Sequence, residues 1–204
     1  MQLILVLLFC APLQEIHCKH FFYGYPTGTP DTNDLIIRDC YALSSNDETK
    51  FADWVAYRLT PEETFGTLDL KRKWRTDPWL EDHETLEANP DGYKGANKAH
   101  GYERGHFAPL GSFKGSANAS QVNYYSNIVP QKGALNGGPW MRLEESVRDL
   151  VHRYRTVWVL TGPLYEEDVD PLPEANEDHI VPSGFWKVIM VNAGEIKVAG
   201  FIFD

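Results

Sequence analysis

The chain has 204 residues with 19 Lys and Arg against 29 Asp and Glu, so its net charge is −10 with histidines neutral. A length near one domain and 43% hydrophobic residues imply a single folded body with a sizeable core, and exclude global disorder. The acidic excess argues against passive binding of duplex nucleic acid by a broad positive surface, but leaves room for a small basic site that meets phosphates.

The run Met1 to Ala11 is apolar but shorter than the roughly 18 residues needed to span a bilayer. It reads as the core of a secretory signal peptide covering residues 1–17, with the folded domain over 18–204. In an oxidising compartment, losing Cys10 with such a leader leaves Cys18 and Cys40 as an even pair, which allows a disulfide between them without fixing its geometry. No Cys or His spacing suits structural zinc.

Residues 24–34, dense in Gly, Pro, Thr and Asp, read as a loop. Strands are expected over Leu35–Ala42 and Phe51–Leu59, joined at Ser44-Ser45-Asn46-Asp47. The segment 71–75 (Lys-Arg-Lys-Trp-Arg) is the one dense basic cluster, and its arginine forks suit phosphate oxygens. Residues 76–103 contain several Gly and Pro with little periodicity and read as a long surface loop.

A helix is expected over Pro139–Tyr154, where Trp140, Leu143, Val147, Leu150, Val151 and Tyr154 form one apolar stripe. Glu144 borders that stripe while Glu145 points to solvent. Asn136, Trp140 and Glu144 fall on one side if the helix starts early; an amide oxygen and a carboxylate would then suit a hard cation such as Mg²⁺. The competing reading of Asn136 is a plain N-terminal cap. Three further strands are expected over 156–160, 185–191 and 196–203. The pattern predicts an α+β fold with a largely antiparallel sheet and one long helix.

The segment Glu103-Arg104-Gly105-His106 pairs an imidazole that titrates near neutrality with a guanidinium. Together with Asn127 in Ser126-Asn127-Ile128-Val129-Pro130, the stretch Asn136 to Glu144, Arg72-Lys73-Trp74-Arg75-Thr76-Asp77-Pro78, Thr161-Gly162-Pro163 and Phe185-Trp186-Lys187, it resembles the DNA/RNA non-specific endonucleases. These are the ββα-metal or His-Me finger nucleases, which include secreted bacterial enzymes and endonuclease G. The resemblance implies that His106 is the general base and that Asn136 binds a single Mg²⁺, with Mn²⁺ as a substitute. It implies that Glu144 orients the metal waters, that Arg72 and Arg104 contact the scissile phosphate, and that Asn127 supports the site. DNA and RNA are the implied substrates, with 5′-phosphate products; the resemblance also allows a homodimer, and no membrane partner is expected. Two departures stand out: Glu103 replaces the family's Asp, and the chain ends at Asp204, where family domains generally continue, so it reads as cut short at the C-terminus. Both motivate an alternative, a catalytically impaired homologue that binds nucleic acid or a partner protein without cleavage.

Overall fold

The computed structural model describes residues 17–69, 71–86 and 91–204. The expected signal peptide therefore lies outside the described residues except at His17. Among them no helix is long and apolar enough to cross a membrane.

The chain runs β1 (Asp34–Ile37), β2 (Ala42–Ser45), β3 (Ala52–Leu59), α1 (Pro61–Thr64), α2 (Ala96–His100), β4 (Tyr102–His106), β5 (Ile128–Lys132), α3 (Gly133–Leu135), α4 (Met141–Tyr154), β6 (Val157–Leu164), β7 (Gly184–Asn192) and β8 (Ile196–Phe203). Six strands form a sheet in the order β1-β2-β3-β6-β7-β8, and every neighbouring pair is antiparallel. β4 and β5 form a separate antiparallel ribbon. The α+β expectation with one long helix therefore holds.

Period-two alternation divides the sheet into two faces. On one face Leu43, Val55, Tyr57, Val159, Phe185 and Ile189 join Trp140, Val147 and Val151 of the helical segment in the main core. Val147 and Val151 are fully enclosed there, each contributing about 1.5–3 kcal/mol of burial. The opposite face carries a smaller cluster of Ala42, Trp54 and Ala56, covered by Cys18, Phe21 and Tyr25 of the N-terminal segment. Phe21 and Tyr25 meet Trp54 edge-on at 5.8 and 5.7 Å.

Four expectations need correction. Cys18 and Cys40 are both free thiols. Cys40 belongs to the main core and Cys18 to the cluster across the sheet, so the sheet itself stands between them. Burial pushes the Cys40 thiol up to about 11, and its Sγ lies 3.5 Å from the Ser116 hydroxyl. The strand expected over 35–42 breaks into β1 and β2, because a tight turn at Arg38–Tyr41 is closed by the Arg38 N–H donating to the Tyr41 carbonyl at 2.8 Å. The next turn falls later than expected, at Asn46–Lys50, where the Asn46 side-chain oxygen accepts the Glu48 and Thr49 N–H groups at 2.9 and 3.1 Å. Finally, residues 76–103 are not a mere surface loop: Asp77, Leu80, Leu86, Tyr93 and Ala96 are buried, and the segment contains α2 and the start of β4.

The basic segment docks beside the ribbon through an isolated parallel bridge between Arg75 and Tyr124. Arg75 stacks on the Tyr124 ring at 4.9 Å and donates to the Ser120 carbonyl at 2.8 Å. That anchoring leaves Arg72 exposed at the edge of the cleft described next.

Candidate active site

β4 delivers Glu103, Arg104 and His106 in one short strand, with β5 pairing Gly105 opposite Val129 and His106 opposite Ile128. Only glycine fits between the two functional side chains, because a Cβ at position 105 would lie 2.2 Å from the Gln131 amide oxygen. Three of the expected residues, Arg72, Arg104 and Asn136, line one cleft of about 280 Å³ together with Trp74, Tyr93, Asn97, Tyr102 and Glu103.

His106 closes off the strand at 8% exposure, with the Trp74 ring 5.3 Å away. Its Nε2 lies 3.1 Å from the Asn123 side-chain oxygen. The Asn123 amide nitrogen is committed to the Lys71 carbonyl at 3.2 Å, so the oxygen faces the imidazole and accepts from Nε2–H. The lone pair is thereby left on Nδ1. Burial lowers the His106 pKa to about 4; the Asn123 bond opposes that shift and the Arg72 charge adds to it. The ring is neutral at pH 7, as a proton acceptor must be.

Arg104 is held rather than loose. Its guanidinium pairs with Asp91, contacts the Tyr125 hydroxyl at 3.4 Å, and lies between the Trp74 and Tyr93 rings at 5.6 and 5.1 Å. Burial pushes the Asp91 carboxyl up, but Arg104 outweighs it and holds the group below the usual range.

Asn136 is not an N-terminal cap of the long helix. Its backbone is helical (φ −57°, ψ −49°), continuing the turn of α3. The helical path breaks two residues later at Gly138, beside Pro139, before α4 begins, so the long helix starts at Met141 rather than at Pro139. The Asn136 amide nitrogen donates to Glu103 at 2.9 Å, while its side-chain oxygen has no hydrogen-bond partner among the described residues and so is available as a ligand atom. The longer side chain in place of the family's Asp is thus the one that orients Asn136. Glu144 is half-buried on α4. Burial raises its pKa, opposed by the Lys187 and Arg148 charges, by a hydrogen bond from Trp140, and by Arg72. Asn127 does not reach the cleft: fully buried, it accepts the Ala108 N–H at 2.9 Å and donates to the Ala108 and Val122 carbonyls at 3.0 and 2.8 Å. It pins the backbone that follows His106.

A family model for DNA/RNA non-specific endonucleases matches residues 20–204. The chain belongs to the DNA/RNA non-specific endonuclease family. It is 44% identical over 185 residues to a nuclease of Serratia marcescens, covering 89% of this chain and 68% of that protein. Human mitochondrial endonuclease G is 31% identical over 191 residues, covering 86% of this chain and 61% of its own length. Human mitochondrial nuclease EXOG is 32% identical over 189 residues, with 86% and 48% covered, so this chain spans about half the length of that relative. A solved structure of an EndoG/EndoGI complex superimposes with a TM-score of 0.70 at 25% identity, over 86% of this chain and 76% of that one.

The structure brings Arg72, Arg104 and Asn136 to one cleft, with His106 beside it against the Trp74 ring, and leaves Asn127 buried behind. Two residues outside the sequence expectations join them: Asn123, which sets the His106 tautomer, and Asp91, which holds Arg104. Neither carries a local signal, since both lie in irregular segments brought to the cleft by tertiary packing.

Proposed function

We propose that this chain is a secreted, Mg²⁺-dependent endonuclease that hydrolyses DNA and RNA with little sequence preference and leaves 5′-phosphate and 3′-hydroxyl ends. The observation that carries the reading is a neutral, tautomer-fixed His106 beside a cleft lined by Arg72, Arg104 and an Asn136 whose amide nitrogen, not its oxygen, is bonded to the protein. Export is supported by the apolar run at residues 3–11, and the substrate class by the family and by relatives named nuclease and endonuclease.

Asn136 and Glu144 fit a hard cation, because they offer oxygen atoms only and one of them is a carboxylate kept company by positive charges. Asn136 would hold the ion and Glu144 its waters, and a bound Mg²⁺ would supply neutralisation of the charge that grows on the scissile phosphate. His106 Nδ1 takes the proton of the attacking water while Nε2–H stays on Asn123, which spreads the positive charge without turning the ring. Arg72 and Arg104 grip phosphate oxygens in line with that attack; Arg104 then shares its guanidinium between phosphate and Asp91. Every one of these contacts is to the sugar–phosphate chain, so base identity is not read.

The purified protein should degrade both plasmid DNA and total RNA in Mg²⁺, and stop on addition of EDTA. Metal-independent cleavage, or digestion confined to one nucleic acid, would refute the corresponding part of the reading. An N-terminal sequence of protein recovered from the medium of expressing cells checks export: intact Met1 there, or retention in the cell, speaks against it.

A further inference from the structure

Acidic side chains gather at the open end of the β1–β2 hairpin, and the protein treats them differently. Asp53 is satisfied: its carboxylate accepts the Asn33 amide at 2.6 Å and the Asn46 amide at 3.0 and 3.2 Å. Asp34, Asp47 and Glu84 instead face one another, with a carboxylate oxygen of each within 4.8 Å of the others. Among the described residues none of the three is ion-paired. Lys50, in the same turn as Asp47, directs its ammonium to the His83 carbonyl at 2.6 Å, and the His83 ring lies 3.7 Å from Glu81.

The β1–β2 register brings a hydroxyl to the same spot. Asp34 pairs directly with Ser45, so their side chains leave the same face of the sheet, roughly 5 Å apart at Cβ. Ser45 is 1% exposed, and its Oγ has no hydrogen-bond partner among the described residues. The Asp47 Oδ1, two residues on, is equally cut off from solvent and equally unpartnered. Buried polar atoms are nearly always bonded, so two orphaned oxygens beside three unneutralised carboxylates call for a cation. We propose that Asp34, Asp47 and Glu84, joined by the Ser45 hydroxyl, bind a calcium ion that ties the β1–β2 hairpin to residues 81–86.

The donors are oxygens only, which suits a hard cation. Two oxygens on opposite sides of an ion stand about 4.8 Å apart when each lies about 2.4 Å from it, which is calcium's span and matches the spread of this set. Calcium also accepts several carboxylates at once, whereas Mg²⁺ keeps most of its waters and takes one or two. Glu84 is held ready: its N–H donates to the Glu81 carbonyl at 3.0 Å, and its Oε2 accepts the Glu81 N–H at 2.6 Å, which leaves Oε1 for the ion. Thr85 and Leu86, at 0% and 1% exposure, fix the adjoining backbone in the protein. The ligands thus come from the start of β1, the end of β2 with the turn after it, and a segment some 40 residues on, so binding joins stretches that are remote in the chain. None of these ligands lines the cleft at Asn136, and the calcium site goes beyond the nuclease reading without resting on it.

Thermal unfolding of the whole chain tests the site. With about 5 mM Mg²⁺ already present to fill the cleavage site, adding about 5 mM Ca²⁺ should raise the parent's Tm by about 4 °C or more. Asp47→Asn and Glu84→Gln, on different segments, should each cut that gain to below about 1 °C, while Asn136→Ala keeps it in full. In EDTA both carboxylate variants should melt no lower than the parent, since a mutually repelling charge is gone. Amide NMR of the Asn136→Ala protein should place the Ca²⁺-dependent shifts at residues 34–53 and 81–86. A parent that gains nothing from Ca²⁺, a gain that survives in either carboxylate variant, a gain lost with Asn136→Ala, or both carboxylate variants failing to fold in EDTA would overturn the proposal. No readout involves cleavage, so a protein that fails to cut would sink the nuclease reading and leave this one to be decided on its own.

Discussion

Two histidines lie sealed in this protein, His20 at 2% and His106 at 8% exposure, and burial drives both down to about 4. By that measure they are twins. Their hydrogen bonds separate them. His20 spends both ring nitrogens on backbone, with Nδ1 accepting the Arg58 N–H at 3.2 Å and Nε2 donating to the Arg38 carbonyl at 3.0 Å. It staples the N-terminal segment to β3 and the β1–β2 turn. His106 commits Nε2 to Asn123, and no described residue is recorded as a hydrogen-bond partner of Nδ1. A depressed pKa records desolvation; the ring nitrogen left over decides whether a histidine is mortar or tool.

The sharpest way to break the comparison is to remove each ring. His106→Ala should lower kcat on DNA by about three orders of magnitude, within the range for a lost general base. His20→Ala should leave kcat/KM of the folded protein unchanged and lower its stability by about 2 kcal/mol, since the Arg38 carbonyl and Arg58 N–H lose their partner. Cleavage assays and urea unfolding on both variants decide it; similar activity losses would erase the distinction. A smaller effect isolates the tautomer. Asn123→Leu should reduce kcat by about ten- to a hundred-fold. Its acid limb should not move to higher pH, because the Asn123 bond favours the protonated ring and its loss lowers the His106 pKa further.

The smallest difference is expected in acid stability, where the two residues should behave alike. Each has a folded pKa near 4 against 6.5 for a free ring. Neutral burial therefore contributes fully above pH 6.5, and protonation of the unfolded chain withdraws that contribution as pH falls toward 4, by up to about 3 kcal/mol per ring. Urea midpoints of the parent should decline across that window, and less steeply in either alanine variant. A flat profile would mean that the rings are not desolvated as described.

The residues legible in the sequence were those whose chemistry and spacing coincide. Glu103 to His106 fall in one strand, and Asn136 and Glu144 lie eight residues apart on either side of the break at Gly138, so short-range patterns pointed to both halves of the proposed site. The α4 stripe followed from its period, and strands β3, β6, β7 and β8 from runs of β-branched and aromatic residues. The ribbon of β4 and β5 did not: Tyr-Glu-Arg-Gly-His and Ile-Val-Pro-Gln-Lys contain Gly, Pro and charges that depress strand signals, and pairing across 22 or more positions overrides them. The β1–β2 turn hid inside an apolar run because Arg38 is itself buried, paired with Asp77 and laid on the Trp79 ring at 4.1 Å. The burial of Lys187 was readable, since the alternation of Phe185, Ile189 and Val191 assigns it to the inner face. The signal was present as a misfit in a pattern rather than as a motif.

The break at Gly138 makes the site adjustable. Asn136 belongs to the helical turn ahead of it and Glu144 to the long helix behind it, so the two oxygen donors sit on separately anchored rods that meet at one joint. Side chains added at Gly137 or Gly138 would meet nothing within 4 Å. The joint is therefore a dial: substitutions there would reset the distance between amide and carboxylate without a clash, and in the proposed reading they would change how the ion at Asn136 and its waters at Glu144 fit together.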